Sequence, residues 1–128
     1  MSLSIRKSDI SNFTSIYKDY NPIHFDDSYC IKNKLFKEKI VPGMLVSSYF
    51  STLIGNKIPG HGSIFLRQIV NYKKPIYQNE PLNLSVKIKN FIIKDSIFVL
   101  EIKCLNQKKE ILIDGAFYVK NNLCIIDN

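Results

Sequence analysis

The chain has 128 residues and a mass of 14.8 kDa, which is the size of one domain. Its residues are 45% hydrophobic and 12% aromatic, so we expect a single globular domain over residues 1–128 that buries a core without disulfides or metals. The formal net charge is +7, but the lysines are scattered and form no run. This scatter argues against a dedicated nucleic-acid-binding protein.

The sequence contains no pattern typical of a secretory signal or a membrane span. The N-terminus becomes charged at Arg6 and Lys7 before an apolar stretch develops. The longest apolar run, 44–54, is interrupted by hydroxyl residues and is too short to cross a bilayer. The three cysteines show no paired spacing, so we expect free thiols in a reducing compartment. These features predict a cytoplasmic protein that binds neither membrane nor nucleic acid.

Helical periodicity is confined to the first half of the chain. Pro22 is expected to end the first helix, and Asp26 or Asp27 could cap a short second one. A third helix is predicted from Met44 to Ile54, stopping at Gly55. Because this helix is apolar on nearly every side, we expect it to be buried all round. The first helix is predicted from an N-cap at Ser8 and from apolar residues at helical spacing: Ile10, Phe13, Ile16, Tyr17 and Tyr20.

The second half of the chain has the composition of β-strands. The connections at 94–95 and 107–109 have hairpin lengths, and a further short strand is plausible near residues 3–5. Helices followed by long antiparallel strands predict an α+β domain in which a sheet curls around one helix. The strand-like segments, rich in Ile, Val, Leu, Phe and Tyr, are Ser63–Tyr72, Leu82–Ile93, Ser96–Asn106 and Glu110–Val119.

The segment most suggestive of chemistry is Asp19-Tyr20-Asn21-Pro22-Ile23-His24. Taken singly, an Asp near a helix end and a His in a loop are more often a cap and a surface residue. The Asn-Pro turn between them can bring the carboxylate and the imidazole to the same point, although they are about five residues apart. A carboxylate and an imidazole held together can act as acid and base.

The pattern Asp-x-Asn-Pro-x-His resembles the signature of the MaoC-like, or (R)-specific, enoyl-CoA hydratases. The resemblance covers about 8–81 and includes Ile40–Ser48 as the turn into a central helix, the loop 59–64 with Gln68, and an aromatic-x-x-Pro segment at 72–75. It implies an α+β hotdog fold, in which an antiparallel sheet wraps around a long central helix. It also implies a homodimer whose sheets join edge to edge, with the acyl-pantetheine arm in a tunnel beside the helix.

The reaction that this resemblance implies is reversible hydration of a trans-2-enoyl thioester to the (R)-3-hydroxyacyl thioester, carried by coenzyme A or acyl carrier protein. Asp19 and His24 would hold and activate one water, and the Gly43 amide would bind the thioester oxygen. Asn21 would fix the loop, and Ser48 would hydrogen-bond toward Asp19 or the water. Turn geometry alone is the alternative explanation for Gly43 and Asn21, and close packing is the alternative for Ser48. The carrier is part of the substrate, so no other cofactor is implied.

Three positions depart from the family pattern. Pro42 stands where His is common, Cys30 replaces a small Ala or Ser, and Asn79-Glu80 stands where Gly-Asp is frequent. None of the three removes the water-activating pair. Pro42 is next to the proposed amide donor, so it leaves the acyl specificity open.

Other functions remain as alternatives. Carrier-protein dehydratases and many hotdog thioesterases need a carboxylate on or near the central helix, but Met44 to Ile54 contains none and the equivalent position is Ser48. A catalytically silent acyl-binding module would not need both Asp19 and His24. A nucleic-acid-binding protein would show steeply salt-dependent binding. No metal site is expected, because two histidines and three scattered cysteines offer no ligand cluster.

Overall fold

The computed structural model describes residues 1–124, in which three helices are followed by four long strands. The elements are β1 Ser2–Leu3, α1 Lys7–Tyr17, α2 Asp27–Lys32, α3 Gly43–Asn56, β2 Ile64–Tyr72, β3 Leu82–Ile92, β4 Ile97–Leu105 and β5 Ile111–Lys120. A 3-10 turn, Pro22–His24, separates α1 from α2, and Asp26 caps α2 by accepting from the Tyr29 amide at 3.1 Å. The four long strands match the sequence prediction closely, because apolar patterning is a local property. No helix within residues 1–124 has the length and apolar character needed to span a membrane.

Helix α1 begins and ends earlier than the sequence predicts. Its N-cap is Arg6, two residues before the predicted Ser8, and the Asp9 carboxylate accepts from the Arg6 amide at 2.8 Å. Lys18 then adopts a left-handed conformation with φ of 56°, so the helix ends at Tyr17 instead of continuing to the proline. Because the helix ends there, the backbone can change direction within residues 18–21.

The five strands form one antiparallel sheet in the order β1-β3-β4-β5-β2. β2 is an edge strand that pairs with β5 and is bulged between Phe65 and Arg67. The two strands approach closely at Gly115, where an added Cβ would lie 1.9 Å from the Ile69 carbonyl oxygen. No other strand within residues 1–124 pairs with β2, so its outer edge is unpaired.

Helix α3 packs its apolar side against the sheet. Phe50 is fully buried, and its ring packs edge-on against Phe117 of β5 at a centroid distance of 6.2 Å. Burial of this helix face and of the sheet face opposite it supplies most of the apolar area removed from water. The buried residues of α3 are Leu45, Val46, Phe50 and Ile54, and those of the three central strands include Leu84, Phe98, Leu100, Ile102, Leu112, Ile113, Phe117 and Val119.

The other side of α3 is open in the single chain. Met44 is 66% exposed, and Ser48 and Ser51, which follow at helical spacing, are exposed as well. The prediction that α3 is buried all round is therefore wrong for the isolated chain. The reason is that one sheet covers one side of the helix, and the sequence pattern does not tell which molecule covers the other.

Candidate active site

The loop after α1 is built from side-chain hydrogen bonds to its own backbone. Asp19 Oδ1 accepts from the Asn21 amide at 3.0 Å, and Asn21 Oδ1 accepts from the Ile23 amide at 3.3 Å. Asn21 is the N-cap of the 3-10 turn, and Pro22 is its first residue. Two consecutive turns of this kind reverse the chain between the carboxylate and the imidazole.

His24 is held from the side opposite Asp19. Its Nδ1 lies 3.0 Å from the carbonyl oxygen of Ile40, and the Ile40 amide in turn donates to the Ile23 carbonyl at 2.9 Å. A carbonyl oxygen accepts only, so this bond places the proton on Nδ1 and leaves a lone pair on Nε2. The imidazole thus has a defined tautomer and orientation.

The free Nε2 of His24 faces the Asp19 carboxylate. The distance from Nε2 to Asp19 Oδ2 is 3.9 Å, which is too long for a direct hydrogen bond. The imidazole is 9% exposed and the carboxylate 51% exposed. The pair therefore presents two acceptors side by side at a surface that solvent or substrate can reach, and a water could donate one hydrogen to each.

Cys30 lies behind this turn. Its buried thiol is 3.6 Å from the Ile23 carbonyl oxygen, to which it donates, and burial raises the pKa of the thiol. The cysteine thus packs behind the backbone that carries His24 and stays protonated near neutral pH. The cysteine that stands where the family has Ala or Ser is thus accommodated in α2, behind the turn.

Gly43 is the first residue of α3, and Pro42 is its N-cap. No side chain caps the helix, and within residues 1–124 the amides of Gly43 and Met44 have no hydrogen-bond acceptor. Both residues line a cavity of about 390 Å³. Two unpaired N–H groups at a helix start are suited to an oxygen that bears negative charge.

Two of the five predicted site residues, Gly43 and Ser48, lie along cavities that flank α3. Gly43 lines the first cavity, and Ser48 lines a second one of about 190 Å³ together with Phe13, Tyr17 and Phe65. Asp19 and His24 line neither of the two cavities. The Ser48 hydroxyl donates to the Leu45 carbonyl at 2.6 Å, so in the single chain its proton is used within the helix and is not directed toward Asp19.

Two lysines stand at the first cavity, both partnered by acids. Lys73 Nζ is 3.4 Å from Asp114 Oδ2. Lys74 forms an ion pair with Glu110, and this hydrogen bond lowers the pKa of the Glu110 carboxyl. No group of three or more potential metal-ligating side chains occurs within residues 1–124.

Two contacts that shape the site were not anticipated from the sequence. The Ile40 carbonyl orients His24, and no side-chain pattern marks a backbone acceptor. The Tyr72 ring packs on Gly43, and its only sequence signal is the aromatic-x-x-Pro segment noted above. Both contacts join positions that are distant along the chain.

The chain is similar to several known proteins. The family model described as MaoC like domain matches residues 1–109. The chain is 29% identical over 113 residues to the (R)-specific enoyl-CoA hydratase of Aeromonas caviae, covering 88% of this chain and 84% of that protein. It is 33% identical over 109 residues to the mitochondrial 3-hydroxyacyl-[acyl-carrier-protein] dehydratase FERN of Solanum lycopersicum, covering 84% of this chain and 64% of that protein.

Solved structures with the same architecture include the (R)-hydratase from A. caviae involved in PHA biosynthesis. That structure superimposes with a TM-score of 0.87 at 27% identity and covers 94% of this chain and 91% of its own. The unliganded R-hydratase PhaJ1 from Pseudomonas aeruginosa superimposes with a TM-score of 0.83 at 24% identity, covering 100% of this chain and 86% of its own. The predicted α+β hotdog fold is thereby confirmed.

Proposed function

The chain belongs to the MaoC-like domain family, and from this premise we propose that it interconverts a trans-2-enoyl thioester and an (R)-3-hydroxyacyl thioester. The named relatives are a hydratase acting on enoyl-CoA and a dehydratase of acyl-carrier-protein thioesters. The observation that carries the proposal is the approach of Asp19 Oδ2 to within 3.9 Å of His24 Nε2. Such a pair can take a proton from water as base and return one as acid, as the hydration of an activated double bond requires.

In the proposed reaction, one water donates a hydrogen to each member of the pair. Both of its protons are then engaged, and an oxygen lone pair is free to attack Cβ of the enoyl group. As the C–O bond forms and the π bond breaks, one water proton passes to His24 Nε2 or Asp19 Oδ2. The protonated group then delivers a proton to Cα, so that H and OH are added overall. The reverse sequence eliminates water, and neither direction changes the total oxidation state, so the proposed reaction needs no redox cofactor.

The negative charge that develops on the thioester oxygen is assigned to the start of α3. We propose that the Gly43 amide donates to this oxygen, because it is unpaired and lines a cavity large enough for an acyl-thioester segment. A peptide N–H in such a position contributes about 10²- to 10³-fold to the rate. Asn21 then acts on the reaction indirectly, through the turn that it caps, and Ser48 lines the acyl path beside the helix.

We also propose that the functional unit is a homodimer. The outer edge of β2 is unpaired, and its exposed apolar residues, Ile64, Leu66 and Ile69, are 57%, 52% and 38% exposed. A long apolar edge of this kind is normally covered or paired. Pairing of β2 with its copy would join two sheets and bring more surface near the open side of α3. The carrier, coenzyme A or acyl carrier protein, is the remaining proposed partner.

The test is the loss of enoyl-thioester absorbance with crotonyl-CoA and with crotonyl-acyl carrier protein. We expect wild type to turn over at least one of them, and Asp19→Asn and His24→Asn to lose about 10²-fold or more in kcat. The asparagine at 19 keeps an oxygen for the Asn21 amide, and the asparagine at 24 keeps a donor for the Ile40 carbonyl. Both variants therefore remove proton transfer while the loop keeps its hydrogen bonds.

His61→Ala is the matched control, since His61 is the other histidine and its side chain is exposed in the loop before β2. It should leave turnover unchanged. The product should be the (R)-3-hydroxyacyl thioester. If wild type turns over neither crotonyl substrate nor the longer-chain enoyl thioesters of either carrier, the enzymatic proposal is wrong, and an acyl-binding module explains the fold better.

A further inference from the structure

Tyr72, the last residue of β2, covers the start of α3. Its backbone is held by the sheet, because Tyr72 pairs with Ile113 of β5 and the next amide, that of Lys73, donates to the Leu112 carbonyl at 2.8 Å. Its ring lies directly on Gly43, where an added Cβ would be 2.6 Å from Tyr72 Cε1 and 2.8 Å from Cδ1. Glycine is the residue that allows this contact.

The hydroxyl of Tyr72 reaches the next turn of the same helix. Tyr72 Oη and Ser47 Oγ are 3.1 Å apart, and Ser47 Oγ donates to the Met44 carbonyl at 3.1 Å. Because the serine proton is used in that bond, the tyrosine hydroxyl is the donor to Ser47. One side chain thus contacts α3 at two points, Gly43 in the first turn and Ser47 in the next.

Buried Leu45 and Val46 pack the apolar side of this first turn against the core, whereas the amide end of the helix is uncapped. Pro42 supplies no side-chain cap, and an uncapped helix end frays more readily than a capped one. A hydrogen-bond donor contributes fully to catalysis only when it is held at the position where charge develops. The Tyr72 ring, which packs on Gly43, therefore lies where it can hold the Gly43 amide in position.

We propose that Tyr72 is a positioning residue that clamps the first turn of α3 and so directs the Gly43 amide at the thioester oxygen. The inference rests on the proposed function, and it adds a role for a residue that takes no part in proton transfer. It also explains why position 43 is glycine, since any larger side chain would displace the ring.

The first test is Tyr72→Ala with the enoyl-thioester substrate that wild type turns over. We expect kcat to fall by about 10-fold, a fraction of the loss caused by removing such a donor, with little change in KM. Tyr72→Phe keeps the ring on Gly43 and should retain most of kcat. Tyr29→Ala is the control, because Tyr29 is also partly exposed, at 39%, and lines neither cavity beside α3.

A second test uses the contact itself. We expect Gly43→Ala to lower kcat by about 10-fold or more in wild type, because the new methyl expels the ring, and to add little in a Tyr72→Ala background. The midpoint of thermal unfolding tests the same contact without any measurement of enzymatic activity. Gly43→Ala should lower the midpoint when Tyr72 is present and leave it unchanged or raised when the ring is absent.

The outcomes separate the two proposals. If wild type is active but Tyr72→Ala raises KM at unchanged kcat, Tyr72 only contacts the substrate and the positioning role is wrong. Multiplicative effects of the two substitutions on kcat would overturn it as well. Lack of turnover by wild type would instead contradict the proposed function, while the unfolding midpoints would still report on the clamp.

Discussion

At the scale of single residues, Asn121 is the most deeply buried polar side chain of the described chain, at 1% exposed. It directly follows β5 and ties the segment 121–124 to the loop before β2. Both the nitrogen and the oxygen of its carboxamide are hydrogen-bonded, which explains why a polar side chain is tolerated in this buried position. Nδ2 lies within 3.2 Å of three acceptors, and Oδ1 accepts from two amides at 2.9 Å; the partners are Gly60 O, His61 O, Ser63 Oγ, Leu123 N and Cys124 N.

Replacement of Asn121 should therefore be costly. We expect Asn121→Ala to lower the free energy of unfolding by about 2–4 kcal/mol, because one buried and four partly buried hydrogen bonds are lost together. Asn121→Asp should cost at least as much, since a carboxylate oxygen would then face the Gly60 and His61 carbonyls. The measurement is urea unfolding followed by circular dichroism. Asn122→Ala, an exposed neighbour, should change stability by less than about 0.5 kcal/mol; equal losses at both positions would contradict this account.

At the scale of elements, α3 and β2 each leave a part of their surface uncovered in the single chain. The exposed stripe of α3 runs through Met44, Ser48 and Ser51, and β2 leaves its outer edge unpaired. Small hydroxyl residues on a central helix lower its amphipathic contrast, so the sequence pattern suggested burial on all sides. The single chain covers one side only, and a second copy is the proposed cover for the other.

A charge on the β2 edge tests this proposal. We expect wild type to sediment at twice the chain mass of 14.8 kDa and Leu66→Lys to shift toward the monomer, because a lysine would be desolvated in the joined sheet. Ile93→Lys is the matched control: Ile93 is 75% exposed in the turn between β3 and β4 and should leave the dimer intact. A monomeric wild type at micromolar concentrations would sink the dimer proposal.

At the scale of the whole molecule, one core joins α3 to the sheet, and Cys104 of β4 lies within it. Burial raises the pKa of this thiol from 9.0 to about 12. The unfolded thiol ionises at lower pH than the folded one. Its contribution to stability is therefore complete below about pH 9 and is lost as the pH rises toward 12.

Thiol labelling can then report on opening of the core. With iodoacetamide at pH 8 we expect Cys124, which is partly exposed, to react, while Cys104 and Cys30, both buried, stay protected until denaturant unfolds the chain. Mass spectrometry of the labelled peptides distinguishes the three sites. Labelling of Cys104 at the rate of Cys124 without denaturant would show that the core opens far more easily than its packing implies.

The sequence by itself determined the order and extent of the strands, the turn at Asn21-Pro22, the pairing of Asp19 with His24 as candidates, and the family. Each of these depends on residues that are close together in the chain. Apolar alternation defines β2 to β5, and a six-residue motif is short enough for local turn geometry to constrain it. The exceptions at this level are helix ends: a left-handed Lys18 stops α1 early, and α3 runs past the predicted stop at Gly55 to Asn56.

The tertiary structure decided how the site is held. His24 is oriented by a carbonyl 16 residues away, and Tyr72 reaches Ser47 across 25 residues. Which carbonyl or ring meets a given side chain depends on the path of the whole backbone and on close packing between elements, and a local pattern contains neither. The open side of α3 has the same origin: residue type predicts that an apolar helix needs cover, and only the arrangement of the surrounding elements decides where that cover ends.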